Sequence, residues 1–139
     1  NNRGMNMGKS LESAQNELAV YGLEFYAILQ LYRNYLNIIL KNMSEDETIR
    51  AMVYGFHNRT KYLICASDSQ VICGSKPLIG KDKEMIFKMD ELTSITMKSN
   101  FLLGHNVVLT LKDGTVLKFN SDEKKNVLKF VEAASGLVK

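Results

Sequence analysis

Across the back two thirds of the chain, apolar and polar residues alternate in several short stretches, the period of a strand with one face buried and the other wet. Met85, Phe87 and Met89 alternate with Glu84, Ile86 and Lys88. Ile95 and Met97 alternate with Ser94, Thr96 and Lys98, and Val107, Leu109 and Leu111 with Val108, Thr110 and Lys112. Leu117 and Phe119 flank Lys118, and Asp113-Gly114 just upstream predicts a two-residue hairpin turn at positive φ. Residues 51–57, 61–67 and 70–75 add three more strands, separated by turn-forming residues at 57–60 and 68–69. Seven strands with no helix between them predict an antiparallel barrel or sandwich, because parallel neighbours need long crossovers.

The last element changes period. Ser121 is placed to cap a helix whose first turn holds Asp122 and Glu123. Val127, Phe130, Val131 and Ala134 follow at helical spacing, and Gly136 is placed to end the run. Its apolar stripe is expected to plug an open end of the barrel.

At the front, residues 1–9 are polar, without period, and read as a flexible leader. A heptad-like seam then begins after Ser10: Leu11, Leu18, Phe25, Tyr32 and Ile39, with Ala14, Tyr21, Ile28 and Tyr35 as the companion row. One straight helix over residues 11–42 would run about 48 Å, against a radius of gyration of about 14 Å for a domain of this size. The helix is therefore expected either to break, with Gly22 the favoured place, or to project toward a partner. In the strand over residues 62–66, Tyr62, Ile64 and Ala66 oppose Leu63 and Cys65, so both faces are apolar. Part of the N-terminal helix is expected to cover the outer face of this strand and of residues 71–73, in the same chain or in a second copy. Glu24, Gln30, Arg33, Asn34 and Asn37 interrupt the apolar run too often for a membrane span. Ser44-Glu45-Asp46-Glu47 marks a capped boundary turn.

Seven antiparallel strands and a closing helix resemble the pleckstrin-homology (PH) order. The chain from Thr60 onward is similar to the PH-like domains of firmicutes and their phages. The resemblance is carried by Tyr62-Leu63-Ile64-Cys65-Ala66-Ser67-Asp68, Pro77-Leu78-Ile79-Gly80-Lys81, Met89-Asp90-Glu91-Leu92-Thr93-Ser94-Ile95, Phe101-Leu102-Leu103-Gly104 and Phe130-Val131. It implies an α+β fold: a PH-like seven-stranded antiparallel barrel capped by a C-terminal helix and preceded by an N-terminal helical region. Residues 1–43 would be the leader and helical region, and residues 44–139 the PH-like domain.

Composition adds bounds. The 139 residues are enough for one domain with a real core, and 45% hydrophobic with 24% charged residues suits a globular chain. The net charge of +3 is spread over both parts of the chain, which argues against a nucleic-acid binder. Cys65 and Cys73 flank the turn at 68–69, where they are expected to be apolar strand residues in a position to face each other across a hairpin. With no signal peptide in the sequence, a reducing cytosol is the expected compartment. His57 and His105 sit at predicted strand ends with no partner motif for a triad or zinc site, so no enzyme activity, cofactor or metal is expected.

Surface recognition remains. A PH-like fold implies a ligand site at the loop between its first two strands. Here that loop is short and offers only Arg59 and Lys61, which weighs against inositide binding; Lys76 and Lys81 in the next long loop form a second anion patch. Phe101, Leu102 and Leu103 either plug the barrel mouth or stand out as a contact tip. The expected function is a non-enzymatic binding module that recognises another protein, or self-associates as a homodimer through Leu18, Phe25, Ile28, Tyr32, Tyr35 and Ile39. The alternatives are an anionic-lipid binder using Arg59, Lys61, Lys76, Lys81 and the apolar tip, or, from the phage resemblance, an inhibitor of a host protein.

Overall fold

The computed structural model describes residues 8–20, 25–102 and 104–138, with backbone alone for Val20 and for residues 25–32. Two helices come first, α1 (Leu11–Val20) and α2 (Phe25–Lys41). Seven strands follow among the described residues: β1 (Ile49–His57), β2 (Thr60–Ser67), β3 (Gln70–Ser75), β4 (Lys83–Lys88), β5 (Leu92–Asn100), β6 (Gly104–Leu111) and β7 (Val116–Ser121). Helix α3 (Lys124–Ala134) closes the order, and single 3-10 turns lie at Met89–Glu91 and Ser135–Leu137.

The strands form one antiparallel sheet in the order β4-β3-β2-β1-β7-β6-β5. The expected α+β composition and seven antiparallel strands are present, but the expected closed barrel is not: β4 and β5 end the sheet as unpaired edges. Their three-residue connection is bonded to a turn on each side: Met89 N–H donates to the Ser69 carbonyl (2.9 Å) and the Glu91 carbonyl accepts from Lys112 N–H (2.9 Å).

Burial splits by face. The inner face carries Val53, Ile64, Cys73, Ile95, Leu109 and Phe119, and onto it α3 packs Val127, Phe130 and Ala134. These three fall at the predicted helical spacing. The helix begins later than its expected cap: Ser121 is the last residue of β7, and its hydroxyl accepts from Glu123 N–H (3.3 Å) before the first helical residue, Lys124. The outer face carries Met52, Leu63, Cys65 and Ile72, covered by Ala14 and Leu18 of α1 and by Leu36, Ile39 and Leu40 of α2. An outer face this apolar had to be covered, and the chain covers it with its own N-terminal helices.

Those helices run antiparallel as a hairpin, because Lys9 N–H donates to the Leu40 carbonyl (2.9 Å) across their open end. One straight helix is thereby excluded; the predicted break at Gly22 lies outside the described residues. Ser10 does cap α1, its hydroxyl accepting from Ser13 N–H (3.1 Å). Lys9, expected in the flexible leader, is a buried residue whose ammonium pairs with Glu17 (3.0 Å) and donates to the carbonyls of Glu45 and Glu47; residues 1–7 lie outside the described residues. The α2 backbone comes so close to β3 that a Cβ on Gly74 would lie 2.9 Å from Ile38 Cγ2.

Two local expectations are corrected. Cys65 pairs with Ile72, and Cys73 with Ile64, so the two thiols lie on opposite faces of the sheet and cannot meet. The Asp113-Gly114 connection is no two-residue turn. Gly114 alone takes positive φ (+95), its N–H donates to the Leu111 carbonyl (3.0 Å), and Leu111 N–H donates to that of Thr115 (2.8 Å), a turn followed by a left-handed glycine. The two-residue turn with both φ positive is at Asn58 (+49) and Arg59 (+65), between β1 and β2.

Candidate functional site

The β1–β2 turn and the β3–β4 connection lie side by side, because β2 pairs with β1 on one edge and with β3 on the other. Leu63 is opposite Gly74; continuing that register by two residues sets Lys76 abreast of Lys61. Contact is direct at one point, where the Lys83 ammonium reaches the Thr60 hydroxyl (3.4 Å). This end of the sheet therefore gathers Arg59, Lys61, Lys76, Lys81 and Lys83 around Asp82, with Glu84 the next residue along β4. Asp82 pairs with Lys76 at 3.1 Å and closes the base of the β3–β4 loop. The Lys61 ammonium lies over the rings of Tyr54 (4.8 Å) and Phe56 (5.9 Å), so it is directed back along β1, away from the turn.

At the tip of that loop, Leu78 and Ile79 are exposed by 104% and 91%, between Pro77 and a Gly80 at φ +101. The sequence marked Lys76 and Lys81 as an anion patch, with Leu78 and Ile79 between them entering only through the family resemblance. The signal was there: two large aliphatic residues bracketed by proline and glycine, without the alternation that would bury one of them in a strand.

Phe101 and Leu102 are also exposed, by 102% and 84%, which removes the plug reading for these two; Leu103 lies outside the described residues. They cap the β5–β6 hairpin, in the other half of the sheet from β1–β4. Arg59, Lys61, Lys76 and Lys81 thus lie near Leu78 and Ile79, and Phe101 and Leu102 lie on a different hairpin.

Of the self-association residues, Leu18 and Ile39 are fully buried under the sheet's own outer face, and Tyr35 packs half-buried beside them. The side chains of Phe25, Ile28 and Tyr32 lie outside the described residues. Among the described side chains of α2, the exposed ones are Arg33, Asn34, Asn37 and Lys41, all polar.

The histidines serve local structure. His57 Nδ1 lies 3.0 Å from the Lys118 carbonyl and its ring stacks 5.1 Å from Phe119, while His105 Nδ1 is 2.9 Å from the Ser99 hydroxyl. Burial pushes the Cys65 and Cys73 thiols far above the usual thiol range, so neither is a nucleophile at neutral pH. A cleft of about 360 Å³ between β1 and α3 is lined by Ala51, Met52, Phe130, Lys129, Glu132 and Arg50. Among the described residues its lining holds no histidine, cysteine or hydroxyl to pair with Glu132. No cluster of three metal-binding side chains occurs among the described residues, and no described helix is long and apolar enough to cross a membrane. No protein-family model matches the chain, and no curated protein matches it.

Proposed function

We propose that the chain is a non-enzymatic binding module of PH-like build, and that it docks on another macromolecule through the end formed by the β1–β2 turn and the β3–β4 loop. The strand order, a four-strand and a three-strand meander joined through β1 and β7 with one helix after the last strand, is compatible with that build. The carrying observation is the pair Leu78 and Ile79, left in water at a loop tip while every aliphatic residue of β2 and β3 is buried. Exposed aliphatic residues of this kind mark contact sites. Self-association through the N-terminal seam is a weaker reading, because Leu18 and Ile39 already fill the space between the helices and the sheet.

Capture from a whole-cell lysate with its membranes retained tests this reading. Material held by the native chain should be lost with the Leu78→Ser, Ile79→Ser double variant, whose unfolding midpoint should not move because both side chains are exposed. Unchanged capture by the folded double variant would count against the loop end as the docking surface.

A further inference from the structure

Resting on that reading, we infer that the surface taken by the loop end is an anionic phospholipid bilayer, with Leu78 and Ile79 entering the interface and Arg59, Lys81 and Lys83 lying among the phosphates. The chemistry of the end is layered in the same order as a bilayer leaflet. At the tip are two adjacent aliphatic side chains with no polar group of their own; set back along the loop and the neighbouring turn are the cations. A leaflet presents an anionic headgroup layer over an apolar one, and a segment that combines aliphatic residues with flanking Lys and Arg satisfies both at one depth. Long cationic side chains extend sideways to the headgroups while their stems stay near the apolar layer.

The loop is built to present this tip. Lys76 and Asp82 close its base at 3.1 Å, and Gly80 supplies the left-handed turn that sends the chain back into β4. A protein partner would have to supply an apolar pocket rimmed by carboxylates. A bilayer needs no pocket and no fixed geometry, which suits two aliphatic side chains that touch nothing else. Headgroup stereochemistry is not read: the β1–β2 connection is a two-residue turn, Asn58-Arg59, too short to wrap a polyphosphate head. Recognition by charge and depth alone gives binding that depends on the anionic fraction of the membrane and weakens as salt screens it.

Co-sedimentation with vesicles tests the assignment, using phosphatidylcholine alone and phosphatidylcholine with about one third phosphatidylglycerol. Binding is expected on the anionic vesicles only, falling as salt is raised. Removing one cation near the surface weakens partitioning about five-fold, so the Arg59→Glu, Lys81→Glu pair should weaken it by at least about 25-fold. Leu78→Ser with Ile79→Ser should weaken it by at least about ten-fold. Position is read with an environment-sensitive dye on Ile79→Cys or on Phe101→Cys, since the native thiols are buried and will not compete for it. The dye at position 79 should shift to the blue on anionic vesicles and the dye at 101 should not.

Equal binding to both vesicle types, no binding to either, or a shift at 101 in place of 79 overturns the inference. The docking end and its occupant fail separately. If vesicles are ignored while lysate capture still depends on Leu78 and Ile79, the bilayer is the wrong occupant and the loop end stands; if neither assay responds to the loop variants, both readings fall.

Discussion

Arg59 holds a backbone conformation that its Cβ disfavours, φ +65, as the second residue of the β1–β2 turn. Glycine occupies that position most readily in turns with both central φ angles positive. Arg59→Gly is therefore expected to raise stability by about 0.5 kcal/mol, the relief of strain being partly offset by glycine's greater freedom in the unfolded chain. Chemical denaturation checks it; a stabilised variant with weakened vesicle binding would mean that arginine is kept for its charge. The chain showed that residues 57–60 turn, but not which turn they make. Asp113-Gly114 advertised the two-residue type and Asn58-Arg59 adopted it, because register settles the loop length: His57 pairs with Thr60 and leaves exactly two residues over, whereas Thr110 pairs with Val116 and leaves five. The cysteines went astray on the same ground. One residue of register decides which face a side chain joins, and in a strand apolar on both sides no pattern reveals that residue.

The helical hairpin is held to the sheet by packing and by an acidic turn, and each can be tested. Gly74 lets Ile38 of α2 lie against β3. Gly74→Ala should cost about 1–3 kcal/mol by overpacking, and most of that cost should vanish in an Ile38→Ala background, where the methyl it would meet is gone. A double-mutant cycle measures the coupling, and additive costs would mean that α2 does not rest there. On the polar side, the Ser13 hydroxyl and the Ser10 N–H bond to Glu45 and hold its carboxyl below the usual glutamate range. A carboxyl whose pKa is depressed by folding stabilises the fold at pH above its unfolded value, about 4.3, and that contribution is lost as pH falls through the folded value. The stability gap between the native chain and Glu45→Gln should thus be present at neutral pH and close on acidification. Legibility at this scale was uneven. Ser10 as a cap, the length argument against one straight helix and the apolar outer face of β2 were all readable. That Glu45 reaches back to α1, and Glu47 across to Ser67 and Gln70, was not, because contacts twenty or more residues apart leave no local period.

At the level of the whole molecule, charge and burial both look different folded than strung out. A net charge of +3 spread over both parts of the chain argued against a nucleic-acid binder, and folding sets Arg59, Lys61, Lys76, Lys81 and Lys83 near one end of the sheet around Asp82. Burial carries the last consequence. The sheet is clad on both faces, by α3 inside and by α1 with α2 outside, and the outer cladding covers Met52, Leu63, Cys65 and Ile72. A chain cut to residues 44–139 keeps all seven strands and α3, but returns those four side chains to water. Fully burying one large aliphatic side chain contributes about 1.5–3 kcal/mol, and a whole domain has a margin of about 5–15 kcal/mol. Exposing several at once takes most or all of that margin and leaves an apolar face on an open sheet with two unpaired edges. The truncated chain should therefore aggregate or bind a hydrophobic dye where the full chain stays dispersed. A stable, monomeric fragment with native strand signals would mean that the helical hairpin is an accessory to the sheet and not one of its two walls.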